Sequence, residues 1–190
     1  MKSDIEVLYD FVAVLEEQQI SYAVVGSVAS SLHGFSRATG DVDILASISA
    51  EHIPILVKSL KDEFYIDSKM IRRAISTNKP FNAIHIDSVF KLDVYAASKD
   101  EFDQQQLSRS QAVALLQNSE STINLASAED TILAKLVWYR KGNEISERQL
   151  SDIYGVITVQ GDNLDFDYLQ EWANKLNVSD LLDKVLEESK

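Results

Sequence analysis

The chain has 190 residues, 45% hydrophobic and 25% charged, which suits one globular core with a small second lobe and is too apolar for wholesale disorder. Thirty acidic residues against 18 basic ones give a formal charge of −12, which removes any general attraction for phosphate backbones or anionic membranes and leaves only local patches for such partners. With no cysteine, disulfides, thiolate metal sites and a cysteine nucleophile are excluded. The N-terminus runs into an amphipathic segment without a signal-peptide apolar core, and no stretch approaches the roughly 18 uninterrupted apolar residues that span a bilayer. A cytoplasmic protein with no membrane association is expected.

In chain order, a helix comes first. Ser3 and Glu6 have capping-box spacing, and Ile5, Leu8, Val12 and Leu15 recur at helical intervals up to about Gln19. Tyr22 to Gly26 reads as a short buried strand, and the small residues from Ser27 to His33 open a helix directly after it. Asp41 to Leu45 is a second strand, followed by a helix from Ala50 to about Lys61. Phe81 to Ile86 and Lys91 to Tyr95 alternate as the arms of a hairpin. A shorter strand is expected near Phe64–Ile66 or Met70–Ile71.

Beyond Asp100 the pattern turns helical. Gln104 to Leu116 is expected as a helix, and Thr122 to Leu125 as one more strand. Ser127 with Asp130, and Ser146 with Gln149, sit where helix N-termini cap. Ile132, Leu133, Leu136, Val137 and Trp138 supply an apolar face, and Ser179 opens a last helix through Leu182, Val185 and Leu186. The acidic residues Asp162, Asp165 and Asp167 lack calcium-loop spacing and read as a solvated loop. The expected architecture is α/β, of the α+β kind: a mixed β-sheet flanked by helices over residues 1–125, then a helical C-terminal lobe over 126–190.

Three features fall in order along the first part. Gly26-Ser27 follows a strand and opens a helix. Asp41 and Asp43 stand two apart on the next strand, and Asp93 lies in a later one. Side chains at i and i+2 of a strand project from the same face, so Asp41 and Asp43 hold adjacent carboxylates while Val42 and Ile44 point to the core. Two adjacent carboxylates repel unless a cation lies between them. With Asp93 on a neighbouring strand, three hard oxygen ligands would suit Mg²⁺ or Mn²⁺. Gly26 allows close backbone approach, the helix N-terminus after it offers free N–H groups to an anion, and Ser27 adds a hydroxyl. A phosphate cradle with a divalent-metal cluster is the equipment of nucleotidyl transfer.

This order of motifs resembles the nucleotidyltransferase superfamily, the fold shared by DNA polymerase β and many small transferases. More narrowly, the segment from Tyr22 to Leu45 is similar to the abortive-infection AbiEii branch, with Arg37 and Thr39 shortly before the first aspartate. Segments 128–136 and 146–153 resemble the helical part of that branch, and the likeness covers roughly residues 20 to 155. The resemblance implies catalytic and metal-binding roles for Asp41, Asp43 and Asp93, with Asp93 also helping to deprotonate the attacking hydroxyl. It implies nucleotide binding by Gly26, Ser27, Arg37, Lys135 and Asp152, with Mg²⁺ or Mn²⁺ as cofactor. The expected substrate is an NTP and the acceptor a hydroxyl of tRNA or protein, in a toxin–antitoxin or phage-defence system with a cognate partner.

Other readings stay open. An antibiotic adenylyltransferase keeps the chemistry with a small cationic acceptor, which an acidic chain suits. A nucleotide- or partner-binding module keeps the fold without turnover. Arg37 could contact the triphosphate or tie its loop to a carboxylate. Lys135 and Asp152 could equally be an exposed helix lysine and a surface aspartate. Arg72 and Arg73 read as a solvated pair, and His33 and His85 as packed histidines.

Overall fold

The computed structural model describes residues 2–116 and 120–189. In chain order its elements begin α1 (Asp4–Glu17), β1 (Tyr22–Val25), α2 (Gly26–His33), β2 (Asp41–Ala46), α3 (Ile53–Leu60), β3 (Phe64–Tyr65), α4 (Ser68–Thr77), β4 (Phe81–His85) and β5 (Lys91–Ala96). They continue with α5 (Glu101–Arg109), β6 (Gln111–Val113), β7 (Ile123–Leu125), α6 (Ala128–Lys141), α7 (Glu147–Gln160), α8 (Phe166–Lys175) and α9 (Ser179–Glu188). The chain divides into two units, one of residues up to 24 with 40–125, the other of 25–39 with 126 onward.

The first unit carries a seven-stranded mixed sheet in the order β3-β4-β5-β2-β1-β7-β6. β2 and β5 run parallel, as do β1 and β7, while β3, β4 and β5 form an antiparallel meander. The alternation read from sequence sets the faces: Val42, Ile44, Leu92 and Val94 are buried, and the residues between them are half-exposed. α1 begins on the expected capping box, the Ser3 hydroxyl accepting from the Glu6 amide and the Glu6 carboxylate from the Ser3 N–H. Its buried stripe of Val7, Leu8, Phe11, Val12 and Leu15 reaches the sheet where Phe11 meets Phe64 edge-on, centroids 5.4 Å apart. His85 is buried in the same cluster, 5.5 Å from the Phe64 ring, a packed histidine as expected.

Several boundaries differ from expectation. Residues 111–113, expected inside a helix running to Leu116, form β6 instead. Ser110 is extended at φ −61°, ψ 145°, and Gln111 to Val113 pair antiparallel with Leu125 to Ile123, so edge pairing overrides a weak helical pattern. α3 starts at Ile53 rather than Ala50, with Pro54 in its first turn, where a missing N–H costs nothing. Phe64–Tyr65 is the short strand, whereas Met70 and Ile71 lie in α4, whose start is fixed by Asp67 accepting from the amides of Lys69 and Met70. Arg72 and Arg73 are exposed on that helix.

The second unit is helical. α2 packs on α6 and α7, α6 also on α8, and α9 on α7 and α8. Ser127 and Ser146 cap α6 and α7 by accepting from the Asp130 and Gln149 amides, as their spacing suggested. Ile132, Leu133, Leu136 and Tyr139 face inward on α6, but Trp138 does not. It is 52% exposed, with the Lys141 ammonium 5.1 Å from its ring centroid. Asp165, expected in a solvated loop, caps α8 by accepting from the Tyr168 amide. Gly34 lies so close to α7 that a Cβ would stand 2.6 Å from the backbone carbon of Gly155 and the nitrogen of Val156. No described helix is long and apolar enough to cross a membrane.

Candidate active site

In the first unit, the parallel register places Asp43 opposite Asp93 and Asp41 opposite Lys91. Alternation puts Asp41, Asp43, Lys91, Asp93 and Tyr95 on one face of the two strands. The hairpin adds Asn82, which pairs with Asp93 in register and donates its amide to Asp93 Oδ1. The Lys91 ammonium lies 2.8 Å from Asp93 Oδ2 and 3.2 Å from Asp41 Oδ2, bridging the two carboxylates. Its bond to Asp93 first, and that to Asp41 next, raise its pKa above the ordinary lysine value. Burial, then the charges of Asp43 and Asp93, push the Tyr95 phenol up to about 12.

The second unit holds a separate ionic network. Gly26 has φ 65°, in the left-handed region that disfavours a Cβ, and it opens α2 immediately after an extended Val25. Ser27 Oγ accepts from Arg37 Nη2 at 2.7 Å. The same guanidinium grips Asp152 at two points, Nε to Oδ1 at 2.8 Å and Nη2 to Oδ2 at 2.9 Å. Lys135 Nζ donates to Asp152 Oδ2 at 2.8 Å and to Gln149 Oε1 at 3.3 Å. Lys135 and Asp152 are buried, 4% and 8% exposed, so neither is an exposed helix lysine or a surface aspartate. Burial pushes the Asp152 carboxyl up, but the bonds from Arg37 and Lys135 outweigh it and hold the pKa at about 2. Two cations, Arg37 and Lys135, share the Asp152 carboxylate, and Arg37 links it to Ser27.

Solved structures share the fold. Antibiotic-resistance factor ANT(2'')-Ia in complex with adenylyl-2''-tobramycin overlays with a TM-score of 0.59 at 11% identity, over 93% of this chain and 98% of that one. Its solution structure gives 0.57 at 12% identity, over 90% and 91%. An antigenic nucleotidyltransferase-like protein from Paracoccidioides brasiliensis gives 0.52 at 18% identity, over 93% and 89%. The fold is that of the nucleotidyltransferases. No family model and no curated protein matches the chain.

Within this nucleotidyltransferase fold the eight residues singled out from sequence fall into two groups. Asp41, Asp43 and Asp93 share one strand face of the first unit, while Gly26, Ser27, Arg37, Lys135 and Asp152 belong to the second. Among the latter, Ser27, Arg37, Lys135 and Asp152 are joined by hydrogen bonds. Lys91, Asn82 and Gln149 were not singled out. Lys91 had a signal, since it stands two before Asp93 and alternation places it on the same face.

The donor set of the first group fits a hard divalent cation: three carboxylates on one face, two of them already sharing a positive charge. Asp41 and Asp93 are drawn to the Lys91 ammonium that lies between them, and among the described residues no three Asp, Glu or His side chains are already gathered as a metal site.

Proposed function

We propose that this chain is a cytoplasmic nucleotidyltransferase that moves a nucleoside monophosphate from an NTP to a hydroxyl acceptor. The acceptor oxygen forms a bond to the α-phosphorus, the bond from that phosphorus to the bridging oxygen of the β-phosphate breaks, and pyrophosphate leaves. The observation that carries the reading is the register that sets Asp43 beside Asp93, on the face that also bears Asp41.

Asp41, Asp43 and Asp93 would hold Mg²⁺ or Mn²⁺, which when bound neutralises charge on the phosphates and on the attacking and leaving oxygens. Asp93 accepts the proton of the attacking hydroxyl. The turn at Gly26 and Ser27 opens α2, whose N-terminal N–H groups would meet an anion, and the Arg37 guanidinium, oriented by Asp152 and bonded to Ser27, supplies a fork that suits phosphate oxygens. Asp152 acts by position: it fixes the Arg37 guanidinium at two points and keeps Lys135 charged while buried.

Two acceptor classes have support. The AbiEii-like segment from Tyr22 to Leu45 favours tRNA or protein, in a toxin–antitoxin or phage-defence role with a cognate partner. The charge of −12 favours a small cationic acceptor, as does a fold shared with a resistance factor solved with adenylyl-tobramycin.

Transfer from α-³²P-labelled NTPs with Mg²⁺ or Mn²⁺ into lysate, purified tRNA or aminoglycosides separates these classes, with an Asp41→Ala/Asp43→Ala double variant alongside. Label in tRNA or a protein band with wild type alone supports the first, and label in the drug fraction the second. Equal labelling by the double variant, or none with any acceptor, leaves the non-catalytic binding module.

A further inference from the structure

Among the described residues of β2 and β5, Lys91 is the charged group on the carboxylate face that the proposed reaction does not use. Its ammonium sits within 2.8 Å of Asp93 and 3.2 Å of Asp41, and its partners come from two adjacent parallel strands. The position follows from register rather than chance rotamer: Lys91 stands opposite Asp41 and two residues before Asp93, so its stem rises on the side where both carboxylates lie. The side chain is 38% exposed, and Asp41 is 40% exposed, so the ammonium can withdraw to water without leaving a buried charge. Asp93, 14% exposed, is the fixed member, held on its other oxygen by Asn82.

We propose that Lys91 is a displaceable counter-ion of the carboxylate site, bridging Asp41 and Asp93 until a divalent cation takes the same oxygens. The inference rests on the reading that these carboxylates hold the metal. An ammonium neutralises the repulsion between Asp41 and Asp93 at no cost in backbone rearrangement. Metal and lysine then compete for Asp41 Oδ2 and Asp93 Oδ2, so each weakens the other by the same factor. Lys91 thereby sets a threshold on divalent-ion occupancy and places a mobile cation beside the ligands once the metal is bound.

Mn²⁺ alone, titrated into the full chain and followed by the electron-paramagnetic signal of the free ion, reads the competition directly. Lys91→Met should bind Mn²⁺ about tenfold tighter than wild type, because it removes a unit positive charge from within a few ångströms of a divalent ion. Lys91→Arg should stay near wild type, and Asp41→Asn should weaken binding. In the wild type, the Lys91 ¹⁵Nζ ammonium resonance should shift or vanish as Mg²⁺ is added, a readout that requires no variant to fold. If Asp41→Asn weakens binding while Lys91→Met leaves it unchanged or weaker, the counter-ion role fails and the metal site stands. An ammonium resonance unmoved at saturating Mg²⁺ also overturns that role. If Asp41→Asn, Lys91→Met and wild type titrate alike, the carboxylates do not hold the metal and the nucleotidyl-transfer reading falls with it.

Discussion

Arg37 and Asp152 are joined by two parallel hydrogen bonds across 115 residues of sequence, at 2.8 and 2.9 Å. The geometry is the fork that a guanidinium offers a carboxylate, and it pins the loop after α2 to α7. The same carboxylate serves Lys135 on α6, so three segments of the second unit meet at one ionised group. Arg37 thus ties its loop to a carboxylate, and its Nη2 also reaches Ser27. In the proposed function, a guanidinium already oriented by Asp152 would lose less freedom on meeting a phosphate.

Removing Asp152 should therefore damage the fold more than most single changes. Asp152→Ala leaves Lys135 buried without its carboxylate, and breaking such a pair costs about 3 to 5 kcal/mol. Asp152→Asn keeps the shape and one acceptor oxygen, so about half that loss is expected. Urea denaturation of the two variants checks the order. A stability of Asp152→Ala within 1 kcal/mol of wild type, on the order of the surface-substitution scatter, would show that the network does not hold the second unit together.

Acid should release the same network. The folded carboxyl has a pKa of about 2, below the unfolded value of 3.8, so its ionised form is the one the fold favours. The contribution, about 1 to 2 kcal/mol, is fully present above pH ~4 and is lost as pH falls from there through 2. Comparing the acid limb of stability in wild type and Asp152→Asn reads it: the difference between the two should shrink across that interval and not above it.

The carboxylate face was legible to different depths. That Asp41 and Asp43 share a face follows from alternation alone, and the half-exposed, buried, half-exposed order of β2 bears it out. That Asp93 stands beside Asp43 depends on a parallel register set by strands far apart in the chain, which no local pattern carries. Lys91 shared the alternation signal, but its role needed the same register. β6 was illegible because its residues are exposed or half-exposed and gain strand geometry only by pairing with β7. Arg37's hold on Asp152 had no signal in spacing, and only the likeness of separate motifs put both residues under suspicion.

Gly34 tests how the loop after α2 is seated. A Cβ there would stand 2.6 Å from two backbone atoms of α7, and backbone cannot move aside as a flexible side chain can. Gly34→Ala should cost at least about 1 to 3 kcal/mol, the usual penalty of overpacking. Because the displaced segment leads to Arg37, nucleotide affinity should fall as well. Gly40→Ala is the matching control, since a Cβ there meets nothing within 4 Å and its stability should be unchanged. Thermal melts of both variants, with and without NTP, decide the matter; equal melts would mean that α2 and α7 tolerate separation.

Asp43→Ala separates chemistry from folding. The residue is half-exposed, and Val42 and Ile44, buried on the other face of β2, carry much of the strand's packing. Its loss should change stability by no more than about 1 kcal/mol, as expected of a surface position. Transfer of labelled nucleotide should nevertheless drop by at least about two orders of magnitude, because in the proposed reaction Asp43 is a ligand to a charge-stabilising cation and acts chiefly on the transition state. Raising Mg²⁺ should restore little of the rate, since the missing oxygen is a defect of geometry and not only of occupancy. A folded Asp43→Ala protein that turns over at the wild-type rate would remove the β2 carboxylates from the reaction, and an activity recovered fully by excess Mg²⁺ would reduce Asp43 to an aid to metal loading.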